Sequence, residues 1–152
     1  KDNESPVQIE ADTQPQHHDA VLPWREIRMK YADGTQIILD GENRYKEAAF
    51  IEGPNGKLFK GFKSDIPDLD KKLAEFPEPE PQVTDFIEAV KERKKFALNE
   101  VNGHRSCTIV NLAKIALRTR RRLKFDSDKQ RFINDEEANS YIKQPMRGPW
   151  KV

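Results

Sequence analysis

Few residues in this chain have the type and spacing to do chemistry, and the clearest sit near one predicted helix. His104 and Arg105 lie close to where that helix begins. A helix start presents backbone N–H groups without intrahelical partners and favours anions. A histidine followed by an arginine there is a candidate binding pair. His17, His18 and Asp19 are adjacent and are all metal-ligand types. Neighbouring side chains on an extended chain point to opposite sides, so this run is expected to be a solvated loop, with no metal site. Cys107 is the only cysteine, which excludes an internal disulfide and a cysteine-rich metal site. Its place on an apolar helix predicts a small buried side chain, not a reactive thiol. Gly53 to Lys57 lacks the spacing of a phosphate loop and reads as a turn, in which Pro54 and Gly56 supply the two corner conformations.

The elements that must position these groups follow from periodicity. The spine is Asn102 to Asp126: a long helix starting between Asn102 and Ser106, then a short strand, Leu123-Lys124-Phe125. Cys107, Val110, Ala113 and Leu117 form one apolar stripe of this helix; Ile109, Leu112 and Ala116 form another. Two stripes predict a helix covered on more than one side. Upstream, Val7 to Ala11 alternates like an edge strand. Trp24 to Leu39 reads as a hairpin about Ala32-Asp33-Gly34. A three-residue loop with Gly34 in the left-handed position pairs Met29 with Ile37 and Ile27 with Leu39, keeping apolar residues on one face. Ala48 to Phe62 reads as a second hairpin. A short helix is expected from about Asp68, and residues 77–81 (PEPEP) form an extended spacer. Val83 to Lys94 reads as a helix begun at Gln82 or Thr84, with Val83, Phe86, Ile87 and Val90 as its apolar stripe. It is expected to lie beside the long helix, which packs on the hairpin sheet. Asp135 to Lys143 is a final short helix. Residues 144–152 form an extended tail whose Trp150 is expected to dock on the body or on another subunit.

Bulk properties set limits. The 152 residues suit one domain, 1–152, with a core. Charged residues make up 35% and apolar ones 36%. Twenty-seven basic and 26 acidic residues leave a net charge of +1, no global reason to bind nucleic acid or an anionic membrane. The basic run Arg118 to Lys124 lacks the interleaved aromatics of a single-strand binder. No apolar run reaches the length of a membrane span.

Four segments resemble, in order and spacing, the C-terminal part of the Gfo/Idh/MocA oxidoreductases, in the branch common among sugar-degrading bacteria. They are Val83 to Val90 (VTDFIEAV), Gly103 to Ser106 (GHRS), Ala116-Leu117-Arg118 leading to Leu123–Asp126, and Asp135 to Asn139 (DEEAN) with the tail from Pro145. The resemblance implies an α+β domain: a mostly antiparallel, open-faced sheet with helices packed on one face. It implies the substrate and oligomerisation domain of a two-domain enzyme. In that enzyme an N-terminal Rossmann domain binds NAD or NADP, and the substrate is a sugar, polyol or derivative. It places His104 and Arg105 as candidates facing the substrate cleft, and it makes the missing Rossmann domain and a second copy, joined through the sheet face, the expected partners. The family's Gly-x-Gly-x-x-Gly, Glu-Lys-Pro and Asp-x-x-x-His motifs are absent, so no catalytic, cofactor-binding or metal residue is expected in this chain, which by itself should bind no cofactor and be inactive. The alternative is a stand-alone protein- or glycan-interaction module using the open sheet face. The compartment is left open.

Overall fold

The computed structural model of the chain describes residues 4–79, 81–143 and 148. In chain order the strands are β1 (Gln8–Thr13), β2 (Trp24–Lys30), β3 (Gln36–Asp40), β4 (Ile51–Gly53), β5 (Gly56–Phe59) and β6 (Lys63–Ser64). Helices α1 (Leu69–Ala74), α2 (Phe86–Glu92) and α3 (Glu100–Thr119) follow, then β7 (Leu123–Asp126), β8 (Arg131–Phe132) and α4 (Glu136–Ser140). They group into two compact units: residues 1–42 with 98–152, and residues 43–97. The architecture is α+β, as expected.

In the first unit a five-stranded sheet has the order β3-β2-β1-β7-β8, antiparallel at every pairing. The β2–β3 hairpin takes the bulged register: Ile27 faces Leu39 and Met29 faces Ile37. Gly34 supplies the positive φ of +91° that its loop requires, and Tyr31 N–H donates to the Thr35 carbonyl at 2.8 Å. The predicted edge strand is instead the central one. β1 pairs with β2 on one side and β7 on the other, burying Ile9 and Ala11. A strand's position depends on partners distant in sequence, which its own short alternation does not carry.

Helix α3 covers the apolar face. Leu112, Ile115, Ala116 and Leu117 pack with Ile9, Ile27, Met29, Leu123 and Phe125 in one core. The helix starts earlier than expected: the Asn99 side chain accepts from Val101 N–H and Asn102 N–H, a standard N-cap arrangement. Its burial also differs from the two-stripe expectation. Its buried residues run from Thr108 to Thr119, while Cys107 is exposed and Val110 is 65% exposed. The core of this unit engages only the C-terminal half of the helix, so apolar spacing upstream of Thr108 does not become burial.

Helix α3 ends at Arg120, a left-handed C-cap whose N–H returns to the Ala116 carbonyl. Its basic exit is tied down by ion pairs. Arg121 forms a two-point bond to Asp135, 2.7 and 3.0 Å, and reaches Glu137 at 2.7 Å. Arg122 pairs with Glu10 at 2.8 Å. Asp135 also caps α4 by accepting from Ala138 N–H. Asn139 bonds both the N–H and the carbonyl of Phe132, at 2.8 and 3.0 Å, so one side chain supplies the hydrogen bonds of a missing neighbour strand to β8. The final helix stops at Ser140, short of the expected Lys143. The predicted docking of Trp150 and the tail 144–147 and 149–152 lie outside the described residues.

The second unit contains the three-stranded sheet β4-β5-β6. Gly53 pairs with Gly56 across the predicted turn, and Asp65 accepts from Lys57 N–H at 2.7 Å. Helix α1 follows Asp68 and stops before the proline-rich stretch, as expected. Helix α2 is shorter than the sequence implies and is capped by Asp85, not Gln82 or Thr84. Of its predicted apolar stripe, Phe86, Ile87 and Val90 are exposed and Val83 is half-buried. Ala89 is the one buried residue among those described in this unit.

Candidate functional site

His104 and Arg105 lie in the second turn of α3. The first turn lies upstream of them: Asn99 caps two of its N–H groups with its side chain and takes the Gly103 N–H on its carbonyl at 2.9 Å. The expectation that His104 sits at the start of the helix is therefore corrected: the helix begins at Glu100. The helix is capped by Asn99, not by His104. The His104 carbonyl accepts from the Thr108 hydroxyl at 2.9 Å.

The two candidates diverge in direction, because consecutive helical residues are about 100° apart. Arg105 is half-buried and heads the row that continues through Ile109 to the buried Leu112 and Ala116. His104 is exposed, in a row with Val101, Cys107 and Asn111, all exposed. The adjoining row holds Ser106 and Val110, also exposed. Just before the cap, Leu98 is 81% exposed. Leu98 and the side of α3 from Val101 to Val110 thus present one histidine, one thiol and three exposed apolar side chains. This surface was not legible as exposed, because its residues continue the helix's core spacing. The Asn99 cap had a readable signal: a capping residue followed directly by an acidic first turn.

The basic run at the other end of α3 offers little to a phosphate. Arg121 and Arg122 are committed to carboxylates, and the guanidinium of Arg118 lies over the Tyr141 ring, 5.8 Å from its centre. Asp135 and its neighbours hold the Arg121 proton more tightly than usual, and Arg121 in turn holds the Asp135 carboxyl below its ordinary range.

The face of the sheet opposite α3 follows from the alternation. Gln8, Glu10, Glu26, Arg28, Lys30, Ile38 and Lys124 occupy it. It is mainly charged, and it carries the Arg122–Glu10 and Arg28–Glu26 ion pairs. Among the described residues no helix is long and apolar enough to cross a membrane.

A sequence profile described as "Oxidoreductase family, C-terminal alpha/beta domain", that of the Gfo/Idh/MocA enzymes, matches residues 1–152. The chain belongs to this family. No curated protein and no solved structure matches it. Within the Gfo/Idh/MocA frame, the segments that carried the resemblance separate by role. Asp135 and Glu137 fasten α4 to Arg121 in the turn after α3, and Asn139 fastens it to β8, so that segment is structural. The segment Gly103 to Ser106 stands on exposed helix, apart from half-buried Arg105.

Proposed function

We propose that this chain is the substrate and assembly domain of an NAD- or NADP-dependent oxidoreductase acting on a sugar, polyol or related compound. The observation that carries the reading is the exposed apolar surface on one side of α3, with Leu98 just before it. A Gfo/Idh/MocA C-terminal domain works beside a dinucleotide-binding domain, and Leu98, Val101, Cys107 and Val110 are apolar surface suited to meeting one. His104 stands in the middle of that surface. Its imidazole can donate or accept a hydrogen bond with a substrate hydroxyl in the cleft so formed. Arg105, turned toward the domain's own core, is assigned to positioning the helix.

The nicotinamide would be supplied from the dinucleotide domain and would take or give the hydride. No segment of this chain has the glycine-rich strand-to-helix turn that receives a pyrophosphate. The charged sheet face, with acids and bases interspersed, suits pairing with the same face of a second copy, because opposite charges can meet across a two-fold axis. The alternative of a stand-alone module on that face has no specific observation in its favour.

The test is kinetic. In the enzyme that contains this chain, His104→Ala is expected to weaken substrate use, kcat/KM, by about tenfold to a hundredfold, the scale of one lost polar contact. Its affinity for NAD or NADP should stay unchanged. Unchanged kcat/KM would remove His104 from the cleft. Nicotinamide binding by the isolated chain would overturn the division of labour.

A further inference from the structure

The loop from β1 to β2 holds an arrangement that its sequence argues against. His17 and His18 do not diverge. Their ring centres are 4.3 Å apart, because the chain bends here and is not extended. Asp19 joins them: its N–H donates to His17 Nδ1 at 3.2 Å, and its carboxylate meets His18 Nε2 at 2.7 Å. One ligand atom from each of the three lies within 4.8 Å of the others. Among the described residues this is the one grouping of three such side chains.

The loop is also pinned. The Gln16 amide donates to the Thr13 hydroxyl at 2.7 Å and to the Gln14 carbonyl at 3.2 Å. Its oxygen accepts from Leu22 N–H at 2.7 Å. Gln16 therefore ties the two ends of the loop together immediately beside the histidines. This lowers the entropy that a bound ion would have to remove.

We propose that His17, His18 and Asp19 form a binding site for a divalent transition-metal ion. Two imidazole nitrogens and one carboxylate oxygen are the donor set of zinc, nickel and copper, and they disfavour magnesium and calcium, which take oxygen ligands. The ion would take the place of the direct contact between His18 Nε2 and the Asp19 carboxylate. His17 would bind through Nδ1, exchanging the Asp19 N–H bond for the metal. All three groups are exposed, so water completes the coordination and the site is open.

The experiment is titration of the untagged chain with zinc chloride and, separately, nickel chloride, followed by calorimetry and by histidine ring signals in NMR. One ion per chain is expected, with the signals of His17 and His18 both perturbed. His17→Ala and His18→Ala should each weaken binding at least about tenfold, and Asp19→Asn should weaken it less. Cys107→Ser and His104→Ala, the other soft donors, should leave it unchanged. The proposal is overturned by absence of saturable binding up to about 1 mM. It is equally overturned by binding that survives the His17 and His18 changes, or by binding that follows Cys107 or His104. Circular dichroism of each variant separates loss of the site from loss of the fold.

Discussion

Asn139 shows how much one polar side chain can fix. Its two bonds to Phe132 satisfy an otherwise bare strand, beside Ala138, which is fully buried. Asn139→Ala leaves both backbone groups of Phe132 without these partners, so a loss of about 1–3 kcal/mol is expected in urea unfolding. A loss below a few tenths would mean that water replaces the side chain. Asp135 adds a pH signature. Arg121 first, and then the Ala138 N–H, lower its folded pKa. A depressed carboxyl contributes stability that is fully present above the unfolded value of about 3.9 and lost as pH falls through the lower folded value. Asp135→Asn should therefore be less stable than wild type at neutral pH, and the gap should close below about pH 4. A gap independent of pH would show that the cap geometry, not the charge, matters. These residues were readable in part: Asp135 has a capping pattern, but nothing local couples it to Arg121, fourteen positions upstream, or Asn139 to Phe132.

At the scale of elements, legibility tracks how local the determining contacts are. The β2–β3 register was fixed by alternation and Gly34 alone, and the Gly53–Gly56 turn by its four residues. The centrality of β1 was not, because it rests on pairing with β7 more than a hundred residues away. The apolar spacings of α2 and of early α3 predicted burial that is not found among the described residues. Periodicity reports which face will be covered, not which molecule covers it. The second unit is the extreme case. With Ala89 its one buried described residue and Phe50, Phe62 and Phe86 exposed, it has little core to resist opening. Amide hydrogens of residues 43–97 should exchange well before those of Leu112 to Leu117 in the isolated chain. Equal protection in the two regions would contradict this.

For the molecule as a whole, the family was recognisable because four short segments kept their order, although none was individually decisive. The chemistry of the site was not, since the family's Gly-x-Gly-x-x-Gly, Glu-Lys-Pro and Asp-x-x-x-His motifs are missing from these 152 residues. What remains is a sheet with one face packed and one charged, and a helix that exposes His104, Cys107 and Val110 on one side. His104 gains its meaning only if that helix meets the dinucleotide domain. Cys107 makes this directly measurable, being the only cysteine of the chain and exposed on the same helical row as His104. The measurement is the alkylation rate of Cys107, read by peptide mass mapping, in the isolated chain and in the enzyme that includes the dinucleotide domain. Rapid labelling of the isolated chain and at least about tenfold protection in the enzyme are predicted, as for a thiol moved from water into an interface. Equal labelling in both would contradict the placement of α3 at the domain boundary.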